Sequence, residues 1–275
     1  MSNEKKMQKS PNSPANNSLL ISPNRGLYLG AGFGTRFHAF HAVKVCIGID
    51  GNFGFRTGVT ADYERCRAVI VAPNQVHQIN GRATRLALLY LQPETAESQQ
   101  IAEIYLDCGF SALPQTMVDA LLRLTGEYFK KDCDEKSAPE LCSNLIQALA
   151  PAVSLKQRFD WRVTSALEYL RSTLGRRLST ADIAKALRSS HSRLAHLFKA
   201  QTGTAVRHYR RWLRVCAAIE QMAHTDSLTD IAYASGFYDS SDLAHAFRQM
   251  LGIAPSRLFR NSLIAQDKSA GENYK

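Results

Sequence analysis

The chain has 275 residues, 45% of them hydrophobic, and a formal net charge of +10. That is apolar material for one large or two medium cores, and it excludes a wholly disordered, collagen-like or disulfide-dense chain. The basic excess makes a polyanion, either nucleic acid or an anionic membrane surface, the first partner to consider.

Met1 to Ser18 lack the apolar core of a signal peptide, so residues 1–18 read as a disordered tail. No run of about 20 apolar residues follows, so no membrane-spanning helix is expected and the chain reads as cytoplasmic. Cys46, Cys66, Cys108, Cys133, Cys142 and Cys216 show no metal-ligand spacing and read as reduced thiols.

Residues 19–95 have the texture of short strands. Val43, Val45, Ile47 and Ile49 alternate with Lys44, Cys46 and Gly48, the period of a half-buried strand. Asp50-Gly51-Asn52 is turn chemistry, and Phe53 and Phe55 resume the alternation. Ala68–Ala72, Val76–Ile79 and Arg85–Leu91 are further runs, with Asn80-Gly81 as a second hairpin signal. Together they predict a small antiparallel sandwich or barrel, closed off by Pro93. Residues 96–159 turn helical, with a polar break from Lys130 to Pro139. Leu113, Met117, Ala120, Leu121 and Leu124 make an apolar stripe that either pairs two subunits or packs back on the barrel.

Residues 160–262 are helical and basic, followed by a flexible tail over 263–275. Asp160 caps a helix carrying Val163, Ala166, Leu167, Leu170 and Leu174, and Gly175 stops it. An internal repeat then appears. Ile183-Ala184-Lys185-Ala186, followed by Leu194 to Lys199 and Gly203, is echoed by Ile231-Ala232-Tyr233-Ala234, Leu243 to Arg248 and Gly252. Each copy opens on a capping pattern, Ser179 before Asp182 and Ser227 before Asp230. A short helix, a turn and a longer helix, twice, is the pattern of two helix-turn-helix units, whose second helices enter the major groove. The charge agrees: residues 162–214 hold twelve Lys and Arg against Glu168 and Asp182, a net +10. The membrane reading therefore falls behind duplex DNA.

Residues 162–260 resemble the C-terminal domain of the AraC/XylS family of transcription regulators. The resemblance rests on Asp230-Ile231-Ala232-Tyr233-Ala234-Ser235-Gly236-Phe237, on Phe247-Arg248 and on Gly252-Ile253-Ala254-Pro255. It departs from the family at Leu243, usually Phe, and at Arg188, a turn position usually given to Gly. The resemblance implies base contacts from Ser192, Ala195 and His196 on the first recognition helix, and from Ser240, Ser241, Ala244 and His245 on the second. Phosphate contacts are expected from Arg193, Lys199, Arg248 and the stripe Arg207, Arg210 and Arg211. Arg214, at i+7 of that stripe, matches a family Arg that serves equally as an ion-pair partner or a DNA contact.

The N-terminal strands are similar, diffusely, to the cupin-type sensor of some AraC-like regulators. Ala72 to His77 matches the second cupin motif, with Asn74 in place of the turn Gly. His77 is the effector-pocket candidate. His38 and His41 lack the spacing and the Glu of a metal cupin, so neither a metal nor a cofactor is expected. The fold class is thus α+β, a cupin-like small β-barrel followed by an all-α double helix-turn-helix domain.

The expected function is a bacterial, nucleoid-associated and non-enzymatic regulator, an activator by resemblance. It would bind promoter DNA as a homodimer, recruit RNA polymerase and respond to a small-molecule effector, with no membrane partner. A cupin enzyme with an accessory DNA-binding domain and a non-specific architectural binder are the alternatives.

Overall fold

The runs of Val, Ile and Leu between residues 17 and 91 form two facing sheets. The computed structural model describes residues 17–22, 24–130, 137–151, 159–174, 179–259 and 262–266. The expected tail over residues 1–16, the Gly175 stop and Cys133 lie outside them. Strands β1 (Asn17–Ile21), β2 (Arg25–Ala31), β3 (Val43–Gly48), β4 (Phe53–Arg56), β5 (Glu64–Cys66), β6 (Ala68–Val71), β7 (Gln78–Asn80) and β8 (Arg85–Leu91) come first. Helix α1 (Ala96–Tyr105), strand β9 (Phe110–Ala112) and helices α2 (Gln115–Lys130) and α3 (Ser137–Leu149) follow.

The larger sheet has the order β10-β1-β2-β8-β3-β6-β9, where β10 is Ser262–Gln266, and the smaller one is β5-β4-β7. All pairings are antiparallel except β1 with β10. Single bridges at Gly34↔Asn80 and His38↔His77 pair the connection between β2 and β3 with β7 and the residue before it. The expected barrel is therefore two open sheets facing each other. Three boundaries also move: β1 starts inside the expected tail, β9 lies beyond residue 95, and β10 extends into the expected C-terminal tail.

The larger sheet is covered on both sides, which explains why β3 has six buried residues in a row. Leu20, Leu27, Val45, Ile47 and Leu89 point to one face, under Val118 and Leu121 of α2 and Leu141 and Leu145 of α3. The stripe of residues 113–124 therefore packs on the sheet. Leu19, Tyr28, Cys46, Val69, Leu88 and Tyr90 point to the other, against the small sheet and the C-terminal helices. Lys44 lies on that second face and is 1% exposed, not on the water side that its place in the alternation predicts.

The C-terminal region contains α4 (Trp161–Ser172), α5 (Thr180–Ala186), α6 (His191–Thr202), α7 (Val206–Gln221), α8 (Leu228–Ala234), α9 (Ser240–Leu251) and α10 (Pro255–Phe259). Ser179 and Asp182 form the full capping box of α5, and the Ser227 hydroxyl accepts from the Asp230 N–H to cap α8. The first unit has its own core, built on Val163, Leu167, Ile183, Leu194 and Phe198. The second does not. Ile231, Leu243 and Phe247 share one core with Trp212 and Ile219 of α7 and with the β-domain.

The two turns are superimposable in their hydrogen bonds. Ser189 N–H donates to Ala184 O and Phe237 N–H to Ala232 O, both at 2.9 Å. Gly236 takes φ +77 there, and Arg188 takes φ +49 at the equivalent place. The departure from Gly thus leaves the turn intact but holds an Arg in the left-handed region. Arg188→Gly is expected to stabilise the chain by up to about 1 kcal/mol, after the extra freedom of glycine in the unfolded chain is allowed for. A higher urea midpoint checks this; an unchanged one would sink the strain account.

Candidate nucleic-acid interface

Each recognition helix buries one stripe and leaves the other outward. On α6, Leu194 and Phe198 are buried, while Ser192, Arg193, His196 and Lys199 are exposed and Ala195 half-buried. On α9, Leu243, Ala246, Phe247 and Met250 are buried, Ser241 and His245 exposed, and Ser240, Ala244 and Arg248 half-buried. All seven side chains expected to face bases therefore lie away from the cores, on two helices of twelve residues each.

Helix α7 joins the units and is amphipathic by necessity. Tyr209, Trp212, Leu213, Cys216 and Ile219 fill its buried side. On its other side Arg207, Arg210, Arg211 and Arg214 line a groove of about 360 Å³, whose rim also carries Ser179 before α5 and Asp242 on α9. Arg211, expected on a phosphate, is engaged within the protein: its Nη2 donates to Asp242 Oδ1 at 2.9 Å and lies 3.5 Å from His245 Nδ1. A partly exposed pair of this kind contributes only about 0–1 kcal/mol, so a phosphate can compete for the guanidinium. Arg211 thereby ties the linking helix to the second recognition helix.

The β-domain and the helical domain meet through a polar cluster that sequence reasoning missed. Tyr209 Oη donates to Glu94 Oε1 at 2.7 Å, and Arg171 Nη2 donates to Asn24 Oδ1 at 2.9 Å and to Tyr209 Oη at 3.2 Å. Burial pushes the Glu94 carboxyl above the usual carboxylate range. His41 lies beside this cluster, its ring 5.8 Å from that of Tyr209, and burial pushes it down to about 3.

His77, the effector-pocket candidate, is buried and joins His38 around Lys44. Each histidine directs its Nδ1 at a backbone carbonyl, Arg36 O or Gln75 O, at 2.9 Å. That leaves each Nε2 lone pair facing Lys44 Nζ, at 3.3 Å for His38 and 3.2 Å for His77. Among the described residues no group of three or more His, Cys, Asp or Glu could hold a metal. Nearby, a separate apolar cavity of about 30 Å³ is walled by Tyr28, Phe33 and Tyr90 from the β-domain and by Trp212, Ile219 and Leu251 from the helices. The only sequence hint of the lysine cluster was a Lys inside an apolar run.

Residues 183–261 match a family model described as a helix-turn-helix domain. The HTH-type transcriptional activator RhaR of Pectobacterium carotovorum subsp. carotovorum (strain PC1) is 43% identical over 60 residues, which are 22% of this chain and 21% of that protein. RhaR of Enterobacter sp. (strain 638) is 26% identical over 189 residues, covering 67% of this chain and 56% of that one. The chain thus spans about a fifth of the length of the first curated relatives it matches. Among solved structures, apo ToxT from Vibrio cholerae strain SCE256 has a TM-score of 0.54 at 15% identity, covering 86% of this chain and 96% of that one. The unsaturated fatty acid bound wild-type ToxT of the same strain has a TM-score of 0.53, also at 15% identity, over 87% and 97%. These likenesses establish a shared two-domain fold, β-rich then helical. The doubled turn geometry, the two outward recognition faces and the matched segment together make the C-terminal region a helix-turn-helix domain.

Proposed function

We propose that the chain is a sequence-specific regulator of transcription, most simply an activator, that docks α6 and α9 in successive major grooves of promoter DNA. The observation that carries this is the pair of outward recognition faces together with an arginine-lined groove on the helix that joins their two units. Two major-groove faces on one side of a duplex lie about 34 Å apart, and the phosphates between them are the natural occupants of the groove. The relatives are named as transcriptional activators, which supports a non-enzymatic role and contact with RNA polymerase. Among the described residues no helix is long and apolar enough to cross a membrane. A cytoplasmic, nucleoid-associated homodimer completes the reading.

The β-domain is the sensor in this reading. The ToxT fold has been seen with an unsaturated fatty acid bound, and the walls of the interdomain cavity here are equally suited to an apolar group. At about 30 Å³ the cavity holds little more than one water. An effector of ordinary size needs roughly 300 Å³ or more, so it enters only if the domains part there.

Titration of duplex DNA tests the DNA reading. Arg207→Ala with Arg210→Ala is expected to weaken all sequences alike and to flatten the log–log salt dependence by about 2 units. His196→Ala and His245→Ala are expected instead to change which bases are preferred. An equal loss on specific and random duplexes would remove both histidines from base reading.

A further inference from the structure

The two recognition helices end alike. Helix α6 stops at Gly203, φ +71, and α9 at Gly252, φ +72, each glycine N–H closing onto the carbonyl four residues earlier. Both glycine carbonyls then accept a hydrogen bond from the β-domain. Asn74 Nδ2 donates to Gly203 O at 3.2 Å, and the Arg36 N–H donates to Gly252 O at 2.9 Å. Equivalent points of the internal repeat are thus held by one rigid body through two different loops.

Those loops are joined to each other. The His38 and His77 backbones exchange hydrogen bonds at 3.1 and 3.0 Å, and the Asn74 N–H donates to Phe40 O at 2.6 Å. Behind them Lys44 Nζ donates to both imidazoles, each of which is oriented by a carbonyl of its own loop, Arg36 O or Gln75 O. Lys44 is itself rooted near the start of β3, within the larger sheet. The path from one helix end to the other therefore runs Gly252, Arg36, His38, Lys44, His77 and the 72–77 loop, to Asn74 and Gly203. Asn74 sits at φ +63, so this loop is shaped to present its amide.

We propose that Asn74 and Lys44 are positioning residues for DNA reading: they fix the separation of α6 and α9 and so make the protein selective for the spacing of its two half-sites. The inference rests on the DNA-docking reading above. The first unit has its own core and meets the β-domain through Arg171 and Tyr209, whereas the second shares a core with it; Asn74 adds the hold on the end of α6 itself. DNA makes the consequence measurable. One base pair more or less between half-sites moves the second groove by about 3.4 Å and turns it by about 35°. A rigid pair of helices must then distort the duplex or lose one set of contacts, whereas a loosened pair follows it.

The test uses the full chain and duplexes whose two half-sites, once footprinted, are moved apart or together by one base pair. Wild type is expected to lose about tenfold or more in affinity on either change. Asn74→Gly removes the amide while tolerating the left-handed backbone, and Lys44→Met removes the ammonium at similar length. Each is expected to cut that penalty to about threefold or less while base preferences within each half-site stay as in wild type. The Asn74 side chain is exposed, so Asn74→Gly keeps the test open if Lys44→Met fails to fold. A spacing penalty in Asn74→Gly equal to that of wild type, or a wild type indifferent to spacing, overturns the inference. A wild type that binds every duplex alike overturns the DNA reading itself, and is recognised before any variant is made.

Discussion

Lowering the pH from 7 to 5 is expected to cost the fold about 4 kcal/mol, through histidines that are buried neutral. His41 and His77 are pushed down to about 3, and His38 well below its usual range, in each case chiefly by burial. Lys44 adds to the effect at His38 and His77, the latter pair also oppose each other, and His208 faces His41. In the unfolded chain each imidazole titrates near 6.5, so acid protonates the unfolded state first and draws the equilibrium towards it. Between pH 7 and 5 this amounts to about 2 kcal/mol for each of His41 and His77, with His38 acting in the same direction. Glu94 acts in the opposite direction. Its carboxyl is raised by burial, so the folded state keeps a proton that the unfolded state has shed, which offsets part of the loss. Asp50, Asp160 and Asp182 are held low by their partners and matter only below about pH 4. The net loss corresponds to a melting temperature about 10 °C lower at pH 5. Calorimetry at the two pH values checks it, and His41→Phe should remove about 2 kcal/mol of the dependence. An unchanged melting temperature would falsify the placement of these histidines as buried neutral groups.

The same buried cluster shows where the sequence is legible and where it is not. The helix-turn-helix units could be found because their signals are local: a cap at Ser179 or Ser227, a buried Ala184 or Ala232 at the helix crossing, and a glycine at 203 or 252. Each works within one turn of chain, and the repeat states it twice. The central strands β3, β6 and β8 were visible for a similar reason, as apolar runs. Alternation along a strand, however, reports polarity and says nothing about what will cover the polar face. Lys44 looks like a solvent-facing residue until His38, six residues before it, and His77, thirty-three after, close over it. Strands β9 and β10 escaped because each is defined by a partner distant in sequence, β6 and β1 respectively. The outward faces of α6 and α9 needed only helical periodicity and were legible. Glu94, Arg171 and Tyr209, which unite the domains, needed a tertiary contact that no spacing encodes.

Replacing Gly252 by Ala is expected to cost about 3 kcal/mol or more, against about 1 kcal/mol for the same change at Gly203. The two glycines make a matched pair. Both follow a recognition helix of twelve residues, and both adopt φ near +70°, where a side chain costs about 1–2 kcal/mol. At Gly203 an added Cβ meets nothing, so that strain is the whole penalty. At Gly252 the same atom falls 2.6 Å from His38 Nδ1 and 2.8 Å from Thr35 Cβ. Neither neighbour can yield cheaply. Thr35 and His38 are buried, His38 is pinned between Arg36 O and Lys44, and the Thr35 hydroxyl accepts from the Ile79 N–H at 2.9 Å. Relief comes only by drawing α9 away from the β-domain, which breaks the Arg36 to Gly252 hydrogen bond and opens the core shared by Phe247, Met250 and the inner face of the sheet. Chemical denaturation of the two single variants measures the difference directly. Equal losses at the two sites would mean that the β-domain does not close on the second recognition helix in solution. A larger loss at Gly252 than at Gly203, with the Gly252→Ala protein less selective for half-site spacing, would tie the packing of one glycine to the geometry of DNA reading.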